Sequence, residues 1–417
     1  MIAALATARG RGGVAVIRVS GAGVFELAEK LTGVKVVPRT VQYVDLKVDR
    51  AVMISFKGPA SYTGEDIVEF QTHGGEITPK RVLELIYKAG ARAAKRGEFT
   101  QRAFLNSKLS IEAAEGVLDL IDAKTERAAD KALEALGGKR ESELKKLYEE
   151  LISLSSELEH ALDISEEELP SDFEGAVEAR RLKAIARIDS LVKGEKEGKI
   201  LREGALVVLA GAPNAGKSSL MNALLGENRA IVSSEAGTTR DSIEEWLDIE
   251  GWPIRLTDTA GLRYAKPEQV GLIGEIEQEG IRRSEELIKK ADLVIALDCD
   301  IEGALKVHSK ADLAHGDGIN VSSLTGEGLD ELKKAIVEKI AERVAQGTMI
   351  DGECGNIGES QVEILLRIRG ELERAGGEIV LKANAIRSAA MTLGEEIGAS
   401  YSEDLLDKIF SRFCVGK

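Results

Sequence analysis

The chain has 417 residues, 43% of them hydrophobic and 30% charged, the balance of a globular protein of two to four domains and not of a disordered or collagen-like chain. Its 56 basic and 71 acidic side chains leave a net charge of −15, which argues against a protein that grips a nucleic-acid backbone over its whole surface. Three cysteines and four histidines argue against a disulfide framework and a histidine-rich metal site, and no apolar run approaches the ~20 residues of a membrane-spanning helix.

Taken in chain order, residues 2–6 are apolar but too few for a signal-peptide core, and the basic residues follow them. A cytoplasmic protein is expected. Residues 1–109 read as a small α/β domain: β-type runs at 14–19, 51–56 and 67–70, and a helix at 82–89. Residues 110–203 read as long helices, with Leu144, Leu147, Leu151, Leu154 and Leu158 alternating three and four apart as a core stripe does. In 204–345 strand and helix signals alternate again. Residues 205–210 form an apolar run fit for a buried parallel strand, and 293–297 form another. Helices return in 346–417, at 362–374 and 378–391. The expected architecture is multidomain: an N-terminal α/β domain, then an all-α domain interrupted by an inserted Ras-like α/β domain.

The chemistry concentrates after the strand at 205–210. Gly211-Ala-Pro-Asn-Ala-Gly216-Lys217-Ser218 matches G-x-x-x-x-G-K-[ST], followed by a helical segment from Ser219. Such a loop turns backbone N–H groups toward phosphate oxygens, and the helix N-terminus adds positive potential. Asn214, Ala215, Gly216, Lys217, Ser218 and Ser219 are therefore expected around the phosphates of a nucleotide, with Lys217 on the β- and γ-phosphates and Ser218 on Mg²⁺. Gly237-Thr238-Thr239-Arg240 and Asp258-Thr259-Ala260-Gly261 follow at the spacing of two switch segments. Thr239 is a second candidate for Mg²⁺, and Asp258 stands at a strand end.

Guanine recognition usually uses Asn-Lys-x-Asp; here the string is Ser309-Lys310-Ala311-Asp312. Lys310 and Asp312 keep their places, and Val321-Ser-Ser-Leu-Thr-Gly326 fits the loop that contacts the guanine O6. Only ten residues separate Asp298 from Ser309, where a strand–helix–strand crossover needs at least ~10–12 beyond its strands. The spacing implies that segments usual between Asp298 and Asn320 are missing from the chain.

Four separated strings, Gly10-Arg-Gly-Gly-Val-Ala-Val-Ile-Arg18, Ser61-Tyr-Thr-Gly-Glu-Asp-Ile-Val-Glu69, Arg102-Ala-Phe-Leu-Asn-Ser-Lys108 and Phe413-Cys-Val-Gly-Lys417, together with the nucleotide motifs, resemble the MnmE (TrmE) family of tRNA-modifying GTPases over nearly the whole chain. Val415 stands where that family commonly has Ile. The resemblance implies a homodimer that binds tetrahydrofolate (5,10-methylene or 5-formyl) through Arg18, Glu69, Lys108 and Lys417. It also implies K⁺ held by Asn214 and by the segment containing Ser233, Glu235 and Thr238, and Glu277 as the carboxylate that orients the attacking water. The implied activity is K⁺-dependent GTP hydrolysis coupled, in a heterotetramer with an FAD-containing MnmG-type partner, to modification of uridine 34 of tRNA. A ribosome-assembly GTPase and a nucleotide-dependent scaffold with negligible turnover are the alternative readings. The first lacks a visible RNA-binding module; the second is motivated by Ser309. Cys414, with no histidine partner, reads as a packing residue whose role stays open.

Overall fold

A computed structural model of the chain describes residues 1–164, 169–212, 214–228, 244–258, 282, 285–346, 357–375, 378–397 and 410–416. Two compact units are built from its described parts, one from Met1–Leu118, Ala135–Lys139 and Ala399–Lys417, the other from Asp119–Glu134 and Arg140–Gly398.

The first unit contains β1 (Ile2–Leu5), β2 (Val14–Ser20), α1 (Val24–Thr32), β3 (Gln42–Asp45), β4 (Arg50–Phe56), β5 (Ile67–His73), α2 (Ile77–Lys88), β6 (Arg92–Ala93) and α3 (Glu98–Leu105). Its sheet runs β3-β4-β5-β2-β1-β6, antiparallel except for the short β1–β6 pair. Side chains alternate across a strand, and Ile17, Val19, Met53 and Phe70 pack with Val24 and Leu27 of α1 and Val82 and Ile86 of α2. Arg18 and Glu69 are cross-strand partners in the β2–β5 ladder and so face the opposite side. The apolar residues 2–5 are an inner strand between β2 and β6.

Helices α4 (Ile111–Asp122), α5 (Glu126–Leu136), α6 (Lys139–Asp163) and α7 (Phe173–Glu203) follow. The leucine stripe is buried: Leu144, Leu147, Leu151, Leu154 and Leu158 pack with Ile188 of α7, and with Ile368 and Ile386 from two later helices. Each fully buried leucine contributes about 1.5–3 kcal/mol relative to exposure.

The second unit's sheet contains β7 (Ala205–Gly211), β8 (Glu244–Ile249), β9 (Trp252–Asp258), β10 (Leu293–Leu297), β11 (Leu305–Ser309) and β12 (Ile319–Val321), with α8 (Lys217–Asn228) after β7 and α9 (Leu329–Gln346) after β12. Its order is β12-β11-β10-β7-β9-β8, parallel but for the β8–β9 hairpin. Central β7 is buried on both faces: Val207 and Leu209 meet Leu220 and Leu224 of α8, while Leu206 and Val208 meet Leu287 and Ile288. Two further helices, α10 (Ile357–Arg374) and α11 (Ile379–Ile397), supply Ile368 and Ile386 to the helical core. Arg127 of α5 lies 4.0 Å from the Trp252 ring centroid, and its Nη2 donates to Glu197 of α7 at 2.6 Å, which ties the β8–β9 hairpin to the helices.

The short spacing after β10 is resolved without a crossover helix. Residues 298–304 join β10 directly to its parallel neighbour β11, and 310–318 join β11 to β12. The register makes this possible. Leu305 lies beside Ile295 and Val307 beside Leu297, so the chain steps back only about 7 Å, two residues of strand rise. Val307 and Val321 face the core, whereas Lys306, His308 and Asn320 alternate to the other face, exposed or half-buried. A strand covered by helices on both faces would be apolar on both; these two are written for one.

Candidate functional site

The phosphate loop starts at the end of β7. Gly211 has φ 155°, and a Cβ there would lie 2.6 Å from the Leu297 carbonyl oxygen, so only glycine lets the loop leave the sheet between β7 and β10. Asn214 (φ 66°) and Gly216 (φ 87°) adopt left-handed conformations, the backbone geometry that turns N–H groups into an anion-binding concavity. Ala215 packs onto the sheet's core, and the Ala215 N–H donates to the Ala212 carbonyl at 3.2 Å. Lys217, 5% exposed, opens α8 and donates through Nζ to the carbonyls of Gly211 (2.8 Å) and Ala212 (2.9 Å). Its ammonium is thereby held over the loop. Ser218 Oγ donates to Asp258 Oδ2 at 2.8 Å, and Asp258 ends β9, buried. Ser219 is exposed in the same turn. Two hard oxygen donors thus meet beside a cationic loop, a set suited to Mg²⁺ and a polyphosphate. Nearby, Cys299 is half-buried; burial and the carboxylates of Asp300 and Asp298 push its thiol up, against the opposing pull of Lys217.

The Lys310–Asp312 segment lies at the same edge of the sheet, where β11 and β12 finish. Lys310 takes a left-handed turn (φ 57°) directly after β11 and is exposed. Asp312, also exposed, accepts from Ser322 Oγ at 2.6 Å. Ser322 has no exposed surface, and its Oγ also accepts from the N–H groups of Leu324 (3.3 Å) and Thr325 (3.2 Å). Those two donors occupy the lone pairs, which commits the hydroxyl proton to Asp312. Asp312 Oδ2 has no hydrogen bond among the described residues and is open to a ligand N–H. Ser309 Oγ donates to Asp298 Oδ2 at 2.6 Å. The roles of Ser322 and Asp298 were not legible in the sequence: both depend on loops that fold back. Ser233, Glu235, Thr238, Thr239, Thr259, Ala260, Gly261 and Glu277 lie outside the described residues.

In the first unit, the N-terminal strings converge. Arg18 Nε donates to Glu69 Oε1 at 2.7 Å, and the guanidinium lies 5.3 Å from the Tyr62 and 5.8 Å from the Phe99 ring centroid. Glu69 Oε2 has no hydrogen bond among the described residues. Loop 61–65 is pinned from three sides. Ser20 Oγ donates to Glu65 Oε2 at 2.7 Å, Arg102 Nη1 donates to both Glu65 oxygens at 3.0 and 2.9 Å, and Asn106 Nδ2 donates to the Thr63 carbonyl at 2.7 Å. The aliphatic stem of exposed Lys108 runs beside Gly64. Arg102 also reaches Glu98, where burial would raise the carboxyl but hydrogen bonds from Arg92, the Lys95 N–H and Arg102 hold it at about 2. Cys414 differs from its expected packing role: it is exposed, its carbonyl accepting from the Gly97 N–H at 3.4 Å. Its neighbour Val415 forms an antiparallel bridge with Arg96, so Cys414 does not lie in a helix interior. Lys417 lies outside the described residues.

A parallel sheet whose central strand opens into a lysine-bearing phosphate loop, with an acidic strand end facing the loop serine, defines a P-loop nucleotide-binding protein of the GTPase class. The family model for the GTP-binding protein TrmE N-terminus matches residues 1–108, and that for the MnmE helical domain matches 111–414. Two similar proteins are both called tRNA modification GTPase MnmE. That of Neisseria meningitidis serogroup B is 40% identical over 464 residues, covering 100% of this chain and 98% of its own. That of Aquifex aeolicus is 39% identical over 451 residues, covering 100% and 99%. Both alignments are longer than the chain's 417 residues, so both relatives carry stretches that it lacks. The chain belongs to the MnmE family.

Proposed function

We propose that this protein is a K⁺-dependent GTPase that, as a homodimer in a heterotetramer with an FAD-containing MnmG-type partner, modifies C5 of uridine 34 in certain tRNAs in the cytoplasm. The added group is of the aminomethyl or carboxymethylaminomethyl type, and a tetrahydrofolate carries its one-carbon unit. The observation that carries the reading is the contact between Ser218 and Asp258 beneath the Lys217-bearing loop, in a chain of this family.

Its own residues divide the work. The loop amides from Asn214 to Ser219 and the Lys217 ammonium hold the β- and γ-phosphates; Lys310 and Asp312 select guanine. Ser218 and Thr239 hold Mg²⁺, which offsets the charge that builds on the phosphates as the terminal bond breaks. Asn214, with the segment containing Ser233, Glu235 and Thr238, holds K⁺ when two such domains meet, supplying the positive charge that an arginine finger gives elsewhere. Glu277 orients the attacking water. Thr238, Thr259, Ala260 and Gly261 form the segments that respond to the γ-phosphate. In the first unit, Arg18 and Lys108, with Lys417, meet folate carboxylates, and Glu69, through its open Oε2, accepts from the pterin. The domain limits proposed are 1–109 for folate binding and dimerisation, 110–203 and 346–417 for the helical domain, and 204–345 for the inserted GTPase.

Among the described residues no helix is long and apolar enough to cross a membrane, and no membrane role is proposed. Nucleoside analysis of tRNA from cells lacking the gene tests the reading. Loss of the modified wobble uridine, restored by the wild-type chain and not by Lys217→Ala, is expected. Unchanged wobble uridines contradict it.

A further inference from the structure

Guanine selection requires Lys310 and Asp312 to stand at a fixed distance from the phosphate loop, and although the Ala311 N–H donates to the Val321 carbonyl at 3.1 Å, the strand that leads into them is short. β11 overlaps β10 over three residues only, and β12 overlaps β11 over three. The ladder between them is correspondingly short, and no crossover helix braces the 298–304 connection. The residue at the end of β11 is Ser309, whose single hydroxyl replaces the longer amide of the usual motif. An amide carries its own donor and acceptor; a hydroxyl on its own reaches less far.

Asp298 supplies what Ser309 lacks. It is the first residue past β10 and turns into the left-handed region (φ 51°), which carries its carboxylate across to β11. Oδ2 accepts from Ser309 Oγ at 2.6 Å, Oδ1 accepts from the Ser309 N–H at 3.1 Å and lies 2.8 Å from His308 Nδ1, and the Asp298 N–H donates to the Val307 carbonyl at 3.0 Å. The clamp is continuous with the phosphate loop, because Leu297 is the register partner of Gly211. Ser309 Oγ also lies 3.8 Å from where a Cβ on Gly216 would stand. We infer that Asp298 is a positioning residue for guanine recognition, holding the Lys310–Asp312 segment in register with the phosphate loop through Ser309. This inference rests on the proposed reading of Asp312 as the carboxylate that accepts from guanine.

The experiment measures dissociation constants of GDP and of IDP, which lacks the 2-amino group, on the full chain with Mg²⁺ and K⁺. Loss of a charge-assisted pair predicts GDP binding weakened about ten- to a hundred-fold in Asp298→Ala, with the preference for GDP over IDP falling toward unity. Adding Ser309→Asn to Asp298→Ala is expected to return GDP affinity to within about threefold of wild type, since the amide restores the tie. Retained GDP affinity and preference in Asp298→Ala overturns the inference. So does a parallel loss for GDP and IDP that Ser309→Asn does not repair, the signature of a merely structural role. Asp312→Asn, with XDP as probe, separates the two layers. A switch toward XDP upholds the reading of Asp312, while no loss of GDP preference in that variant overturns the reading and the inference with it.

Discussion

Glu98 shows how a single side chain of the first unit depends on its neighbours. Burial opposes its charge, but Arg92, the Lys95 N–H and Arg102 together hold its carboxyl at about 2 from an ordinary 4.5. Because the folded value lies below the unfolded one, the stabilisation is present above pH 4.5 and is lost as pH falls toward 2. Hydrogen-exchange protection of the α3 amides, corrected for intrinsic exchange, should fall through that window, and Glu98→Gln should flatten the fall; an unchanged acid limb would reject the assignment. At the nucleotide site, Lys217→Ala should remove most nucleotide affinity while leaving the helical core intact, as read by titration and circular dichroism. The residues legible in the sequence were those fixed by local spacing, such as Lys217 and Ser218 in one loop. Asp298, Ser322 and Arg102 were not, because each acquires its role from a partner that folding brings near.

Among the elements, α6 was legible because its stripe repeats over 15 residues, from Leu144 to Leu158, enough turns for the period to stand out. Leu154, 1% exposed within the four-helix core, and Ile152, 42% exposed on the same helix, make an internal comparison. Leu154→Ala should cost about 2–5 kcal/mol in urea unfolding and Ile152→Ala less than about 0.5 kcal/mol; equal effects would contradict the packing described. Strand β8 escaped notice for the converse reason. Its Glu244, Glu245 and Asp248 hide the alternation, and its pairing with β9 at the sheet edge makes it a strand. β1 was read only as a short apolar stretch, since four residues carry no period and its parallel neighbour β6 is remote in sequence. The connection after β10 was the largest departure: the spacing pointed to missing segments, whereas residues 298–304 join β10 directly to β11, and the polar outward face of β11 and β12 is a property of the folded sheet.

For the whole molecule, family membership unites the strings at both ends of the chain with the nucleotide motifs between them, and the proposed activity needs them together. The nucleotide chemistry can nonetheless be tested alone. GTP hydrolysis by the purified full chain in KCl and in NaCl, with Asn214→Ala alongside, addresses the central claim most directly. The account predicts faster turnover in KCl than in NaCl for wild type, and loss of that preference in Asn214→Ala. Equal rates in the two salts, or no hydrolysis and no guanine-nucleotide binding with Mg²⁺ and K⁺ both present, would contradict it.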